Sequence, residues 1–372
     1  MINADDDKWM ARALELARGG RPSPNPHVGA VVVKDGVAVG EGFHARAGDD
    51  HGEMVALKKA KAKAKGATLY VTLEPCNHVG RTPPCTDAIL KAGIARVVLG
   101  TDDPNPNVEG GGAARLRAAG IEVTAGVRHD EAEALIAPWK KFVTKNLPYV
   151  SLKLGLSLDG RIATRTGASR WVTGPDARAR VHALRAASDA VAVGIGTVLA
   201  DDPRLTVRDA PLAEKGGSPT RVVFDTKLRT PLNSRLVQTA GETPTIVLTS
   251  SDAPFDAEEE LKSRAVEVMR IAVSAEGRVD VHAALVALAE RGVVTLMVEG
   301  GAELAGSFLQ GRMTDELHAF IAPILLGPRG RPGAVDWAGP DLPAKAPRIT
   351  NPTWELVGND AHVFGRLAYP EE

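Results

Sequence analysis

Cysteine is nearly absent from this chain: two of its 372 residues, Cys76 and Cys85. A disulfide-stapled secreted domain is thereby excluded, and where thiols stay reduced a pair like this is better suited to holding a metal than to crosslinking. Aromatic residues are also scarce, at 4%. That scarcity removes the interleaving of basic and aromatic side chains with which proteins bind single-stranded nucleic acid. Charge of one sign is missing as well, because 45 basic residues face 46 acidic ones for a formal net charge of -1. No global field draws the chain toward nucleic acid or an anionic membrane, and small molecules are the expected partners. No apolar run reaches the ~18 residues of a membrane span. The segment Met1 to Lys8 lacks the basic start and apolar core of a secretory leader, so a cytoplasmic location is expected.

What is present is ordinary for globular protein: 44% hydrophobic and 24% charged residues, with 38 Gly and 25 Pro to punctuate many short elements. At roughly 100–200 residues per domain the length predicts two domains. The run Lys58, Lys59, Lys61, Lys63 and Lys65 alternates with alanine and reads as the solvated face of a helix.

The chemistry concentrates in two short stretches, His51-Gly52-Glu53 and Pro75-Cys76 through Pro83-Pro84-Cys85. One imidazole and two thiolates suit Zn2+, and a zinc with three protein ligands keeps its fourth position open to water. A water bound there has its pKa brought toward ~7, and Glu53, adjacent to a ligand without being needed as one, is placed to shuttle its protons. A closed structural site would instead recruit a fourth protein ligand, for which His78 is the candidate.

Around these stretches the pattern alternates strand and helix. Trp9, Met10, Ala13, Leu14 and Ala17 are spaced as a helix, and Val28–Val33 reads as a strand turning at Asp35-Gly36. Thr68–Leu73, Arg96–Gly100 and Ile121–Thr124 are further strands, and Pro83-Pro84 precedes a helix opened by Cys85. Such alternation predicts a three-layer α/β domain. Asn25 lies in a proline-rich loop, where turn chemistry alone would account for it.

His-x-Glu, then Pro-Cys, then a second Cys is the signature of the zinc-dependent cytidine-deaminase-like superfamily. The eight residues between Cys76 and Cys85, including Gly80-Arg81-Thr82-Pro83-Pro84, resemble the deaminase half of the bifunctional pyrimidine deaminase and reductase of riboflavin biosynthesis. Gly52 stands where that family usually has Ala, and Glu109 where it usually has a small residue. The resemblance implies that Asn25, His44, His78, Arg81, Asp103 and Asn105 bind the pyrimidine, the last two within Asp102-Asp103-Pro104-Asn105-Pro106.

A change of style at Pro148 divides the chain into a deaminase domain, 1–146, and a second domain, 147–372. Val150 through Ala163, Ser169-Arg170-Trp171, Arg185, Gly194 through Arg208 and Glu299-Gly300-Gly301 resemble, in order, the family's reductase half, which has a dihydrofolate-reductase-like fold. The resemblance implies NADPH as cofactor, contacted by Gly155, Trp171, Thr197, Asp201, Gly300 and Gly301. It implies substrate contacts from Ser169, Arg185, Leu205, Arg208 and Glu299. Read from the residues, Leu296–Val298 is a buried strand, and Gly300-Gly301 leads from it into a helix whose free N–H groups suit a phosphate. Arg185 and Arg208 could each hold a phosphate in a fork. Lys153, a cation on an otherwise apolar strand, is the candidate to contact substrate or move a proton.

The expected activity is hydrolytic deamination of a phosphorylated pyrimidine followed by NADPH reduction of its ribosyl chain to ribityl. Small-molecule substrates, no nucleic-acid or membrane partner, and assembly as a homo-oligomer are expected with it. The competing reading is a nucleic-acid base deaminase with a C-terminal binding module, which the balanced charge disfavours. A zinc-stabilised scaffold would have no use for Glu53.

Overall fold

The computed structural model describes residues 4–78, 83–106, 111–208, 218–327, 329 and 333–370. The chain divides into two compact units, Met1–Leu147 and Pro148–Glu372.

The first unit opens with α1 (Ala4–Ala17), β1 (Gly29–Lys34), β2 (Val37–Phe43), α2 (Gly52–Ala60) and β3 (Thr68–Leu73). It continues with α3 (Cys85–Ala92), β4 (Arg96–Thr101), α4 (Gly112–Ala118), β5 (Glu122–Thr124) and α5 (His129–Lys145). The five strands order as β2-β1-β3-β4-β5. β1 is antiparallel to β2 and β3, while β3, β4 and β5 run parallel.

Successive residues of a strand face opposite sides, and the core divides accordingly. Val31, Val33, Tyr70 and Val98 pack on Met10, Ala13 and Leu14 of α1. Ala30, Val32, Leu69, Val71, Val97 and Leu99 pack on Ala56 and Leu57 of α2, Ile89 of α3 and Leu116 of α4. Helices on both faces make the expected three layers. The lysine run is solvent-exposed as expected, but α2 stops at Ala60 and Lys61–Ala64 forms a 3-10 turn.

The second unit comprises β6 (Tyr149–Ser157), α6 (Pro175–Ala186), β7 (Ala190–Gly194), α7 (Ile195–Asp201), β8 (Thr220–Phe224), α8 (Arg235–Gln238), β9 (Thr245–Thr249), α9 (Phe255–Lys262) and β10 (Glu267–Arg270). α10 (Val281–Ala289), β11 (Thr295–Glu299), α11 (Ala302–Gln310), β12 (Glu316–Ala322), β13 (Arg348–Val357) and β14 (Asp360–Ala368) complete it. Its nine-stranded sheet orders as β10-β9-β8-β7-β11-β6-β12-β14-β13. The strands from β10 through β12 are parallel, and β14 and β13 extend the sheet antiparallel.

The chain leaves β7 toward one edge of this sheet and returns through β11, which inserts between β7 and β6. Reversals of strand order of this kind open a crevice at the carboxyl ends of the strands, where α/β folds bind ligands. The two C-terminal strands, β13 and β14, pair along most of their length. The Gly- and Pro-rich segment before them packs closely on α11: a Cβ on Gly306 would lie 1.9 Å from the Asp336 carbonyl oxygen. Among the described residues no helix is long and apolar enough to cross a membrane.

Candidate active sites

In the first unit, His51 is the N-cap of α2 and Cys85 opens α3, while Cys76 follows β3 by three residues. Three separate segments thus converge, and the Nδ1 and two Sγ donors all lie within 4.8 Å of one another. His51 Nδ1 is 3.3 Å from Cys85 Sγ and 3.7 Å from Cys76 Sγ. The Cys85 backbone N–H donates to Cys76 Sγ at 3.3 Å. Hydrogen bonding from the Cys85 thiol, aided by His51, pulls the Cys76 thiol well below its ordinary range, and the same bond pushes Cys85 up. Hydrogen bonding to Cys76 also raises His51. His78 is exposed and is not one of this donor group, so the alternative of a closed site with His78 as fourth ligand gains no support.

Glu53 is buried one helical step from His51. Burial raises its pKa, because a carboxylate loses solvation there, and its Oε2 has no hydrogen-bond partner. A buried carboxyl oxygen without a partner beside an N,S,S donor set is what a site built for a metal and a reacting water leaves behind, so the residues fit zinc with an open position. Gly52 has a local reason to differ from Ala: a Cβ there would come within 2.8 Å of the Val28 carbonyl oxygen.

The other expected residues of this site group partly by contact. Asn25 Nδ2 and His44 Nε2 are 2.9 Å apart, and His44 Nδ1 faces the Asp50 carbonyl at 3.1 Å. A carbonyl only accepts, so Nδ1 carries the proton and Nε2 accepts from the Asn25 amide. Burial lowers the His44 pKa and keeps that neutral tautomer, and its ring meets the His51 ring edge-on at 5.2 Å. Asp103 accepts the Asn105 N–H at 2.9 Å, and burial raises its pKa. His78 is near enough to act on Asp103 electrostatically. Arg81 and Glu109 lie outside the described residues.

In the second unit, a cavity of about 1400 Å³ brings together Lys153, Gly155, Ser169, Trp171, Arg185, Thr197, Asp201, Leu205, Arg208, Glu299, Gly300 and Gly301, every residue expected there. Glu299 and Lys153 are register partners on β11 and β6, which places Lys153 Nζ 3.3 Å from Glu299 Oε2. Arg185 grips the same carboxylate from α6 with Nε and Nη2, the latter at 2.9 Å. Burial alone would raise Glu299, but Arg185 and then Lys153 outweigh it and hold the carboxyl down to about 2.

Here the structure corrects one expectation. The Arg185 fork, expected to hold a substrate phosphate, holds Glu299 instead, with Nη1 on the Thr206 carbonyl at 3.2 Å. Arg208 is the exposed guanidinium of the pair, its Nη1 3.5 Å from Thr206 Oγ1.

The remaining features of the cavity suit a dinucleotide. Gly300 has φ +145°, and a Cβ there would come within 3.1 Å of Thr197 Oγ1. Thr197 Oγ1 accepts the Gly301 N–H at 3.2 Å, fixing the start of α11. α11 then runs for nine residues with no side-chain cap at its start, and the first-turn N–H groups of such a helix suit an anion. Ser169 Oγ donates to Asp201 Oδ1 at 3.0 Å, and Trp171 is 66% exposed with Arg178 stacked 4.4 Å from its ring. Arg178 was not anticipated from the sequence; neither was Glu74, which bonds backbone amides of two segments beside the metal donors.

Comparison with known proteins agrees with this anatomy. The family described as the cytidine and deoxycytidylate deaminase zinc-binding region matches residues 3–101, and the RibD C-terminal domain matches residues 148–363. The riboflavin biosynthesis protein RibD of Escherichia coli is 44% identical, covering 97% of this chain and 99% of its own. RibD of Aquifex aeolicus is 46% identical over 88% of this chain and 89% of its own. The solved structure of Acinetobacter baumannii RibD, form 2, superposes with a TM-score of 0.86 at 37% identity, covering 98% and 99% of the two chains. A diaminohydroxyphosphoribosylaminopyrimidine deaminase/5-amino-6-(5-phosphoribosylamino)uracil reductase from Thermotoga maritima gives 0.83 at 38% identity, with the same coverage.

Proposed function

We infer the chemistry of each site from one fact: this chain belongs to the RibD family of riboflavin-biosynthesis proteins. It is a bifunctional enzyme, a deaminase followed by a reductase. Its substrate is 2,5-diamino-6-(5-phosphoribosylamino)pyrimidin-4-one, which loses ammonia by hydrolysis before its ribosyl chain is reduced to ribityl.

Zinc held by His51, Cys76 and Cys85 would supply the Lewis acidity that brings a water's pKa toward about 7. Glu53 moves the protons. Its carboxylate takes one from the attacking water and returns it to the departing amine, and its burial favours the protonated intermediate stage of that shuttle. The unpartnered Oε2 of Glu53 beside the donor group is the observation that carries this assignment. Asn25, its amide oriented by His44, and the Asp103–Asn105 loop orient the ring, with His78 near Asp103.

In the second site NADPH would deliver a hydride to the open-chain sugar carbon. Gly300, Gly301 and Thr197 at the start of α11 would hold its phosphates, and Gly155, Trp171 and Asp201 would contact it as well. Reduction of a carbon–nitrogen double bond adds hydride to carbon and a proton to nitrogen, and the Lys153 ammonium is the proton donor. Glu299 orients Lys153 and is itself locked by Arg185, while Arg208, Ser169 and Leu205 bind substrate.

The Cys85→Ser variant tests the division of labour. Its zinc content should fall and ammonia release should drop at least about 10²-fold, the low end of what acid–base catalysis alone contributes. Reduction of already-deaminated substrate should be unchanged. Zinc retained at one per chain with normal ammonia release would remove Cys85 from the ligand set.

A further inference from the structure

Glu74 lies between the end of β3 and the Pro75-Cys76 pair, and its carboxylate bridges two other segments. Oε2 accepts the backbone N–H of Asp103 at 3.3 Å, and Oε1 accepts the backbone N–H of Ala113, in the first turn of α4, at 2.8 Å. Its own N–H is anchored on the Thr101 carbonyl at 2.9 Å. The Asp103 side chain then accepts the Asn105 N–H, which shapes the loop beyond.

The α4 end of this bridge is tied to the metal donors independently. A Cβ on Gly112 would sit 2.0 Å from the Pro75 carbonyl oxygen, so α4 begins in direct contact with the Cys76 loop. Arg115 Nη1, one turn on, donates to Asn77 Oδ1 at 2.9 Å and to Thr86 Oγ1 at 3.1 Å, the side chains that follow Cys76 and Cys85. At the other end of the bridge, the Glu74 carboxylate ties the Asp103 backbone to this same assembly.

We propose that Glu74 is a positioning residue of the deaminase, which preorganises the Asp103–Asn105 loop against the metal-binding loop so that the pyrimidine binds a loop already in place. This rests on the reading that Asp103 and Asn105 contact the pyrimidine. A loop ordered before binding costs nothing to order during it, so removing the bridge is felt in substrate affinity. A carboxylate can accept both amides, whereas Gln has one carbonyl oxygen and would turn its NH2 toward the other N–H. Hydrogen bonds to a charged acceptor are the stronger class, and loss of one predicts a KM increase of about tenfold.

The test compares Glu74→Gln and Asp103→Ala in the full-length zinc enzyme, measuring zinc content, deaminase kcat and KM, and reduction of deaminated substrate. Glu74→Gln should raise KM about tenfold while kcat stays within about threefold, with one zinc per chain and unaltered reduction. Unchanged KM, or a loss confined to zinc content and kcat, would overturn the proposal and leave Glu74 as a brace for α4. If Asp103→Ala raises KM and Glu74→Gln does not, the positioning role alone fails. If Asp103→Ala leaves KM untouched, the pyrimidine-loop reading fails and the Glu74 role falls with it.

Discussion

Replacing Glu53 by Gln should stop ammonia release while the chain keeps its zinc and still reduces deaminated substrate. The amide is nearly isosteric, and the contacts that His51, Cys76 and Cys85 make with one another do not run through the Glu53 carboxylate. What disappears is a group able to accept the water's proton and deliver it to the leaving amine. The loss should be at least about 10²-fold in kcat and could reach about 10⁴-fold, the span measured for general acid–base groups. Ammonia release, zinc analysis and cofactor oxidation on one preparation decide it. Near-normal ammonia release with zinc present would show that another group carries the protons.

The second large effect is expected at Glu299. Glu299→Gln removes the charge that Lys153 and Arg185 share, leaving two cations in a largely buried place with one neutral acceptor between them. Lys153 then has no fixed direction in which to present its proton, and reduction should fall at least about 10²-fold, with ammonia release continuing. The pH behaviour has a defined sign. Because the folded carboxyl is held down to about 2, its contribution to stability is present above the ordinary Glu value of about 4.3 and is lost only as pH falls toward 2. Glu299 should therefore stay ionised through the whole working range, and any acid limb of reduction belongs to another group. Deamination falling as far as reduction in Glu299→Gln would contradict two separate chemistries.

The convergence of His51, Cys76 and Cys85 was legible in the sequence from their identity, order and local context: Pro83-Pro84 stops the chain before Cys85, and a helix begins there. Three-layer packing of the first unit followed from the alternation of strand and helix along the chain, and the continuous apolar runs of β1, β3 and β4 feed a core on each face. The reductase residues were legible through resemblance, since no spacing rule joins Lys153 to Glu299; their pairing depends on β11 entering the sheet beside β6, a long-range event. Arg185 shows the same limit from the other side. Its fork was assigned a phosphate because the carboxylate it holds is 114 residues away. Arg221 was invisible for a similar reason: fully buried on β8, it is held by Thr239, Thr243, Thr245 and backbone carbonyls rather than by any acid, and burial lowers its pKa to about 10.

That one chain performs two reactions in a fixed order at two distinct sites has a direct signature. Purified full-length protein, given 2,5-diamino-6-(5-phosphoribosylamino)pyrimidin-4-one, should release one ammonia per substrate without any NADPH. With NADPH added, one cofactor should be oxidised for each ammonia, and the ammonia should appear first. Cofactor oxidation that precedes ammonia release, or ammonia release that requires NADPH, would contradict it.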